Sequence, residues 1–415
     1  MVFFHKIKSK LRTKDTKVLL ENFISLFSLK VIGMLLPLIT LPYVLRTIGF
    51  EKYGIIVFSA SLVAYFQALT DFSFMITAVR DVSIFRDSPK KLNIIYSKVI
   101  IVKSIFLLLS LLIIAIIVVS VPTFLEYKSI YFWSSLMLVG YALFPEWFFQ
   151  GIEKMRYITY LNLGIKLFFT LCIFIFIRKE EDFWIYPLLQ SCGLIGAGIV
   201  GQIILMRKYQ LKFIFLPFKL IKQTIRKNFS IFINQFVPTL YNNTSTFLLG
   251  LIGTKEMVGI YQAILTMVNL SISIVEIFSR VFFPFLNRKK DAFNAYKKLM
   301  LSLVIGMCLV LIASHKLVFW YLNVNYKHAL LILIILCIGL IGYALSNIYG
   351  LNYFIIHRKD KLVMKNTIIA SLIGFLLAYP LIFHWSIIGA AINLSLSRCL
   401  MGGGLFIKYK KLKIK

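Results

Sequence analysis

Acidic residues are scarce in this 415-residue chain: 16 Asp and Glu stand against 47 Lys and Arg, and charged residues of both signs make up only 15%. That leaves too few charges to solvate the two or three soluble domains such a length would otherwise suggest. Cysteine is almost as rare. Cys172, Cys192, Cys308, Cys337 and Cys399 each sit inside an apolar run and no two have metal-ligand spacing, so they read as packing residues. His5, His315, His328, His357 and His384 are scattered and form no helical metal pair. No Walker loop, nucleophile elbow or metalloprotease helix is present. An ATP-driven or hydrolytic mechanism would need a partner, and neither catalytic residues nor a metal or cofactor are expected.

What the chain has instead is 60% hydrophobic residues and a mean hydropathy of +0.85. These are values for a chain that lives in a membrane. At about 20 residues per helical span there is room for a dozen spans with short loops and no large extramembrane domain. The net charge of +31 raises nucleic acid as a partner. The cations fall in short blocks between apolar runs, however, where they orient a membrane protein, so nucleic-acid binding is not expected.

Apolar windows place spans near residues 18–40, 54–76, 99–121, 129–150, 157–177 and 184–206, then 229–252, 257–283, 299–321, 328–350, 364–384 and 386–407. Lys6, Lys8, Lys10, Arg12, Lys14 and Lys17 precede a first apolar run too long for a signal-peptide core, so that helix is expected to stay in the protein. The even count puts both termini on one side. Basic residues test the parse, since they should gather in alternate loops. They collect in the N-terminus, residues 80–98, 154–156, 207–227, 288–298 and 358–361, and the tail from Lys408. By the positive-inside rule that side, with both termini, is cytoplasmic.

Two short matches suggest a duplicated six-helix unit. Gly140-Tyr141-Ala142-Leu143 in span four recurs as Gly342-Tyr343-Ala344-Leu345 in span ten, and Ile48-Gly49 with Gly54-Ile55 recurs as Ile252-Gly253 with Gly259-Ile260. The expected organisation is an N-terminal six-helix lobe over 1–206, a basic cytoplasmic linker over 207–228 and a C-terminal six-helix lobe over 229–415. Six spans per repeat make the lobes parallel, an architecture of transporters that hold substrate near mid-membrane between rocking halves. The fold class expected is an all-α polytopic membrane protein of about twelve helices.

The chain resembles, over essentially its whole length, the lipid-linked oligosaccharide flippases of the Wzx type. That family lies within the superfamily that also holds the MATE-type multidrug exporters and the peptidoglycan-precursor flippase. The resemblance is carried by Leu41-Pro42-Tyr43 leading to Ile48-Gly49 and Tyr53-Gly54, by Thr70-Asp71-Phe72 with Arg80-Asp81, and most distinctively by Pro145-Glu146-Trp147-Phe148-Phe149-Gln150-Gly151. It implies a MATE-like fold in a bacterial inner membrane. The implied substrate is an undecaprenyl-pyrophosphate-linked glycan repeat unit, such as that of O-antigen, moved from the cytoplasmic to the periplasmic leaflet.

A path for such a head must be polar, because pyrophosphate and hydroxyls lose their hydrogen bonds in hydrocarbon. An ionisable group at a span centre costs about 2.5–3.5 kcal/mol on insertion scales, so those that persist are functional candidates. In span eight Gln262, Thr266, Asn269, Ser273, Glu276 and Arg280 alternate by four and three, which sets all six on one stripe. The stripe reads as a cavity wall; the rival reading is that these groups knit helices together and that Glu276 and Arg280 neutralise each other. Span seven adds Asn234, Gln235, Thr239 and Asn242–Thr246 around Pro238, either binding sugar or bonding neighbouring helices. Lys30 in span one snorkels or meets an anion. Asp71 stands 205 residues before Glu276, one acid in each half, and could couple transport to H+ or Na+, or simply pair with a cation such as Lys30. Glu146 would position the span-four hairpin or gate the mouth, and Lys103, Lys166 and Arg398 could line that mouth.

The expectation is thus an alternating-access flippase with Lys30 and Arg280 attracting pyrophosphate. Gln262, Asn269, Ser273, Asn234, Gln235, Thr239 and Asn242 would line the cavity, with Asp71, Glu276 and Glu146 in coupling or gating. A polysaccharide polymerase is a possible partner. The alternatives are a multidrug exporter of the same fold and a polytopic glycan polymerase, which usually needs a sizeable periplasmic loop that this chain lacks.

Overall fold

The computed structural model describes the backbone of residues 14–414 and the side chains of residues 31–412. The expectations about the cations at positions 6–17 and about the Lys30 side chain lie outside the described residues. Every regular element among the described residues is helical: α1 (Lys14–Asp71), α2 (Phe74–Phe85), α3 (Pro89–Ser120), α4 (Pro122–Leu125), α5 (Lys128–Leu143), α6 (Glu146–Gly151), α7 (Met155–Phe176) and α8 (Ile185–Lys208). Then follow α9 (Phe218–Ile252), α10 (Lys255–Arg288), α11 (Phe293–Ala313), α12 (His315–Leu322), α13 (Ala329–Leu345), a π-helical segment (Ser346–Ile355) and α14 (Asp360–Ile414).

Among the described residues, eight stretches are long and apolar enough to cross a membrane. Two of them hold two predicted spans each, because α1 breaks at Gly49 and α14 at Ser386. Predicted spans four and seven fall outside the eight for visible reasons: Phe144-Pro145 cuts the former into α5 and α6, and the latter, α9, is rich in polar groups. All twelve predicted segments are therefore helical, and the chain is a polytopic all-α membrane protein. Pro238 lies inside α9, which runs unbroken and begins well before residue 229.

The repeated motifs mark the breaks. Gly49, at φ 75° and ψ 170°, occupies a backbone region open essentially to glycine alone, and Gly253, 204 residues on, ends α9. After Gly140-Tyr141-Ala142-Leu143 the chain leaves the helix, as the residue before a proline must when α geometry clashes with the ring. After Gly342-Tyr343-Ala344-Leu345 it widens into the π-helical segment, a form common at functional sites.

The first and second halves of the chain meet through α1, which packs on α10 and α9. One contact there is reciprocal. A Cβ on Gly54 would lie 1.7 Å from the Lys255 carbonyl oxygen, and one on Gly259 would lie 2.1 Å from that of Phe50. Both Gly54/Gly259 and Phe50/Lys255 are separated by 205 residues, so the two helices cross with backbone against backbone about a local two-fold relation.

A second apolar core, around Phe72, Phe74, Trp147, Phe148, Phe149 and Phe232, closes the end that carries the basic loops. The Pro145–Gly151 run is thus a packing element: Trp147, Phe148 and Phe149 are buried, and a Cβ on Gly151 would strike Val82. Outward, Leu108, Leu112, Ile116 and Val119 of α3 and Leu309 and Val310 of α11 are exposed, the apolar belt a bilayer covers.

Candidate functional site

A cavity of about 560 Å³ opens between the halves, walled by α1, α8, α9, α10, α13 and α14. Gln262, Asn269 and Glu276 of α10 line it at seven-residue intervals, with Asn242, Asn243 and Thr246 of α9 and Gln190 of α8. Four tyrosines, Tyr53, Tyr186, Tyr241 and Tyr343, complete much of the wall. Each offers a flat apolar face and one hydroxyl, a pairing suited to a sugar ring with its hydroxyl edge.

The charges in this wall are Glu276 and Arg398. Tyr343 donates its hydroxyl to Glu276 Oε1 at 2.8 Å, and the Arg398 guanidinium stands 5.9 Å from the Tyr343 ring centre. Arg398 is 6% exposed, and its buried Nε and Nη1 have no hydrogen-bond partner among the described residues. Tyr241, Tyr261 and Tyr343 surround it. A buried guanidinium with unspent donors is costly to hold, and an oxyanion in the cavity would offset that cost.

The other expected residues are placed as follows. Thr266 donates to the Gln262 carbonyl at 2.8 Å and lines a neighbouring cavity of about 320 Å³ with Gly33, Pro37 and Lys166. That cavity shares Tyr53, Tyr186 and Gln190 with the central one. Ser273 turns back to the Asn269 carbonyl at 3.0 Å, and Arg280 is exposed beyond the cavity. Asn234, Gln235 and Thr239 also stand outside the cavity lining, with Gln235 exposed and the Thr239 carbonyl accepting from Asn243. Span seven divides its polar groups: Thr244 bonds Tyr65 at 2.8 Å and Ser245 accepts from Asn393 at 2.9 Å, while Asn242, Asn243 and Thr246 face the cavity.

Asp71 lies apart from Glu276. Its Oδ1 is 3.0 Å from Lys103 Nζ, which also donates to the Tyr141 carbonyl at 2.9 Å. Glu146 is within electrostatic reach of both. Lys103 is 3% exposed and is the buried member of a cluster of two half-buried carboxylates and one ammonium. Sequence reasoning put both Lys103 and Arg398 at the cytoplasmic mouth. The signal that would have moved Arg398 inward is its setting beside Asn393, Ser395 and Ser397, a polar run in an otherwise apolar span.

Solved structures share this architecture. The chain is similar to a MATE-family multidrug resistance transporter of the MOP superfamily in an inward-facing conformation, with a TM-score of 0.64, 11% identity, and 91% of this chain and 94% of that one covered. It is also similar to the lipid II flippase MurJ in an inward closed conformation, with a TM-score of 0.65, 14% identity, and coverage of 94% and 87%. At such identities the likeness shows the fold. Among curated relatives, a protein named as an O-antigen transporter in Escherichia coli (strain K12) is 29% identical over 392 residues, spanning 92% of this chain and 94% of the relative. One of the same name in Shigella dysenteriae is 23% identical over 390 residues, spanning 92% and 97%. The profile of the polysaccharide biosynthesis protein family matches residues 19–290, well over half of this membrane-spanning, cavity-bearing chain, which therefore belongs to that family.

Proposed function

We propose that the chain is a flippase for a lipid-linked oligosaccharide. It would carry an undecaprenyl-pyrophosphate-linked repeat unit, of O-antigen or a related surface polysaccharide, from the cytoplasmic to the periplasmic leaflet of a bacterial inner membrane by alternating access. The observation that carries this reading is Arg398, buried with unspent N–H donors in a cavity it shares with four tyrosines, several amides and one carboxylate, Glu276. A diphosphate would take the guanidinium, the amides and tyrosines would take the sugars, and the lipid tail would stay in the bilayer.

In this reading residues 1–206 and 229–415 act as the two lobes, 207–228 joins them on the cytoplasmic side, and both termini are cytoplasmic. Lys30 and Arg280 would draw the diphosphate toward the path. Glu276 and the Asp71, Lys103 and Glu146 cluster would couple the cycle to H+ or Na+. No reaction on the substrate is required of the chain. With the cell interior negative, outward movement of an anion is downhill by about 2.3 kcal/mol per charge per 100 mV, so the potential alone supplies a drive. A polysaccharide polymerase would take the unit on the far side.

The test uses cells lacking the gene, complemented by wild type, Arg398→Gln or Arg280→Gln, with the lipid-linked unit located by its reactivity toward a membrane-impermeant periplasmic probe. Units held on the cytoplasmic face in the null strain and in Arg398→Gln support the reading. Units that reach the periplasm unpolymerised in the null strain would assign the chain to polymerisation. Normal surface glycan with raised drug sensitivity would assign it to drug export.

A further inference from the structure

A separate cavity of about 370 Å³ lies between α2, α3 and the first turns of α9, at the end of the bundle that carries the basic loops. Arg80, Lys98 and Lys227 reach it from three different helices, against one carboxylate, Asp81. Asp81 is 3.7 Å from Arg80 Nε and 3.9 Å from Lys98 Nζ, ion-pair distances too long for hydrogen bonds, so the donors of both cations stay available. Lys227 has no acidic partner among the described residues, and Gln223 and Asn228 on the same wall have no hydrogen-bond partner there. The floor is apolar, formed by Phe74, Ala78, Ile95, Val99 and Ile231. Ile84, one turn beyond Arg80, and Ile94, one turn before Lys98, are exposed apolar side chains on the same helices.

Cations that only orient a membrane protein are spread along loops and need no cavity. Here three converge on one, net positive, with an apolar floor beneath. We propose that this cavity binds the phosphate-bearing headgroup of a membrane lipid. The cations and amides would take the phosphate oxygens, and the first carbons of the chain would rest on the Phe74 and Ile95 side of the floor. Basic pockets between spans hold anionic headgroups in this way. The apolar floor distinguishes the proposal from a site for free phosphate. Two sources offer the chemistry: the anionic phospholipid of the bilayer and the diphosphate lipid proposed above as substrate. The site also sits where the segment joining the halves is held down, since Lys212 N–H donates to Asn93 Oδ1 at 2.9 Å and Ile214 N–H to Ser97 Oγ at 2.7 Å. A headgroup bound there would touch α2, α3 and α9 at once. The proposal does not rest on the translocation reading, because neither the residues nor the ligand class depends on the central cavity.

The experiment is native mass spectrometry of the purified full chain with phosphatidylglycerol, phosphatidylcholine and a short-chain polyprenyl pyrophosphate as separate probes. It compares wild type, Lys227→Gln, Lys98→Gln with Lys227→Gln, and Arg398→Gln. Wild type should prefer an anionic probe over phosphatidylcholine, and each cation removed at this site should weaken that probe about fivefold. Loss confined to the polyprenyl pyrophosphate identifies the substrate headgroup, loss confined to phosphatidylglycerol identifies bilayer lipid, and either supports the site. Arg398→Gln should leave phosphatidylglycerol binding in place and lower the polyprenyl pyrophosphate only by the share held in the central cavity, so failure of the central reading and failure of this one are told apart. Lys227→Gln breaks no ion pair and keeps the test decisive if the double variant does not fold. Retention of all probes within about twofold in the Lys227 variants would overturn the proposal.

Discussion

Tyr343 binds Glu276 through its hydroxyl at 2.8 Å, and the residues 202 and 205 positions earlier, Tyr141 and Asp71, both meet Lys103. The two clusters differ in their partners. Glu276 faces a cavity, while Asp71 is held by the buried Lys103. The first half thus presents a neutralised acid, and the second presents one exposed to whatever enters the cavity.

Tyr343→Phe tests the second cluster. The variant keeps the ring beside Arg398 and removes the donor to Glu276, a bond to a charged group worth about 1.5–3 kcal/mol. We expect transport to fall about tenfold or more, by that energy, at an unchanged level of protein in the membrane. Quantifying surface glycan against immunoblotted protein checks this, and wild-type glycan would remove Tyr343 from the mechanism.

Lys103→Met tests the first. It leaves Asp71 beside Glu146 without a cation, and because the Asp71 side chain is 31% exposed the cost should fall below the about 3–5 kcal/mol of a fully buried pair. Adding Asp71→Asn removes the stranded charge and should restore most of the loss. Thermal unfolding of the purified variants in detergent reads both steps. A single variant as stable as wild type, or a double variant no better than the single one, contradicts this account.

Ser386 breaks α14 at φ 48° and ψ −122°, a conformation that costs a residue with a Cβ about 1–3 kcal/mol. Its hydroxyl gains only a contact of 3.1 Å to Met257 sulfur. Ser386→Gly should therefore raise the unfolding temperature by about 2 °C, whereas Ser386→Val should lower it by at least as much. Differential scanning fluorimetry distinguishes the two directions.

The spans were legible because each needs a long apolar run, and even the two weak ones, α5–α6 and α9, carry their reasons as Phe144-Pro145 and a polar face. The polar stripe of span eight was legible only in part. Gln262, Asn269 and Glu276, seven apart, drift by about 20° per step and stay on the cavity face, whereas Thr266, Ser273 and Arg280 fall on the neighbouring row. Periodicity gives a face of a helix but does not say which edge of that face meets the opening. Arg398 escaped because a lone cation in an apolar span is read by its distance from the helix end. What decides its place is α14 packing against α9 and α13, a relation between distant segments. Lys103 escaped for the same reason, since its partners Asp71 and Tyr141 come from other spans.

The Gly54 and Gly259 crossing yields the last prediction. Each glycine admits a carbonyl of the opposite helix at a distance no side chain allows, so Gly54→Ala or Gly259→Ala must force the two helices apart by displacing backbone. In the proposed orientation both residues lie at periplasmic helix ends, so parting them should open the cavity from that side. A cysteine placed at Ser61, on the cavity wall, in an otherwise cysteine-free chain reports this through its rate of labelling by an impermeant maleimide added to whole cells. We expect labelling to rise about tenfold in either glycine variant, and further in the double variant, because the contacts are equivalent and close the same opening. Gly164→Ala and Gly306→Ala meet no atom within 4 Å and should label as wild type. Equal labelling in all five would mean that the crossing only joins the helices and does not seal the cavity.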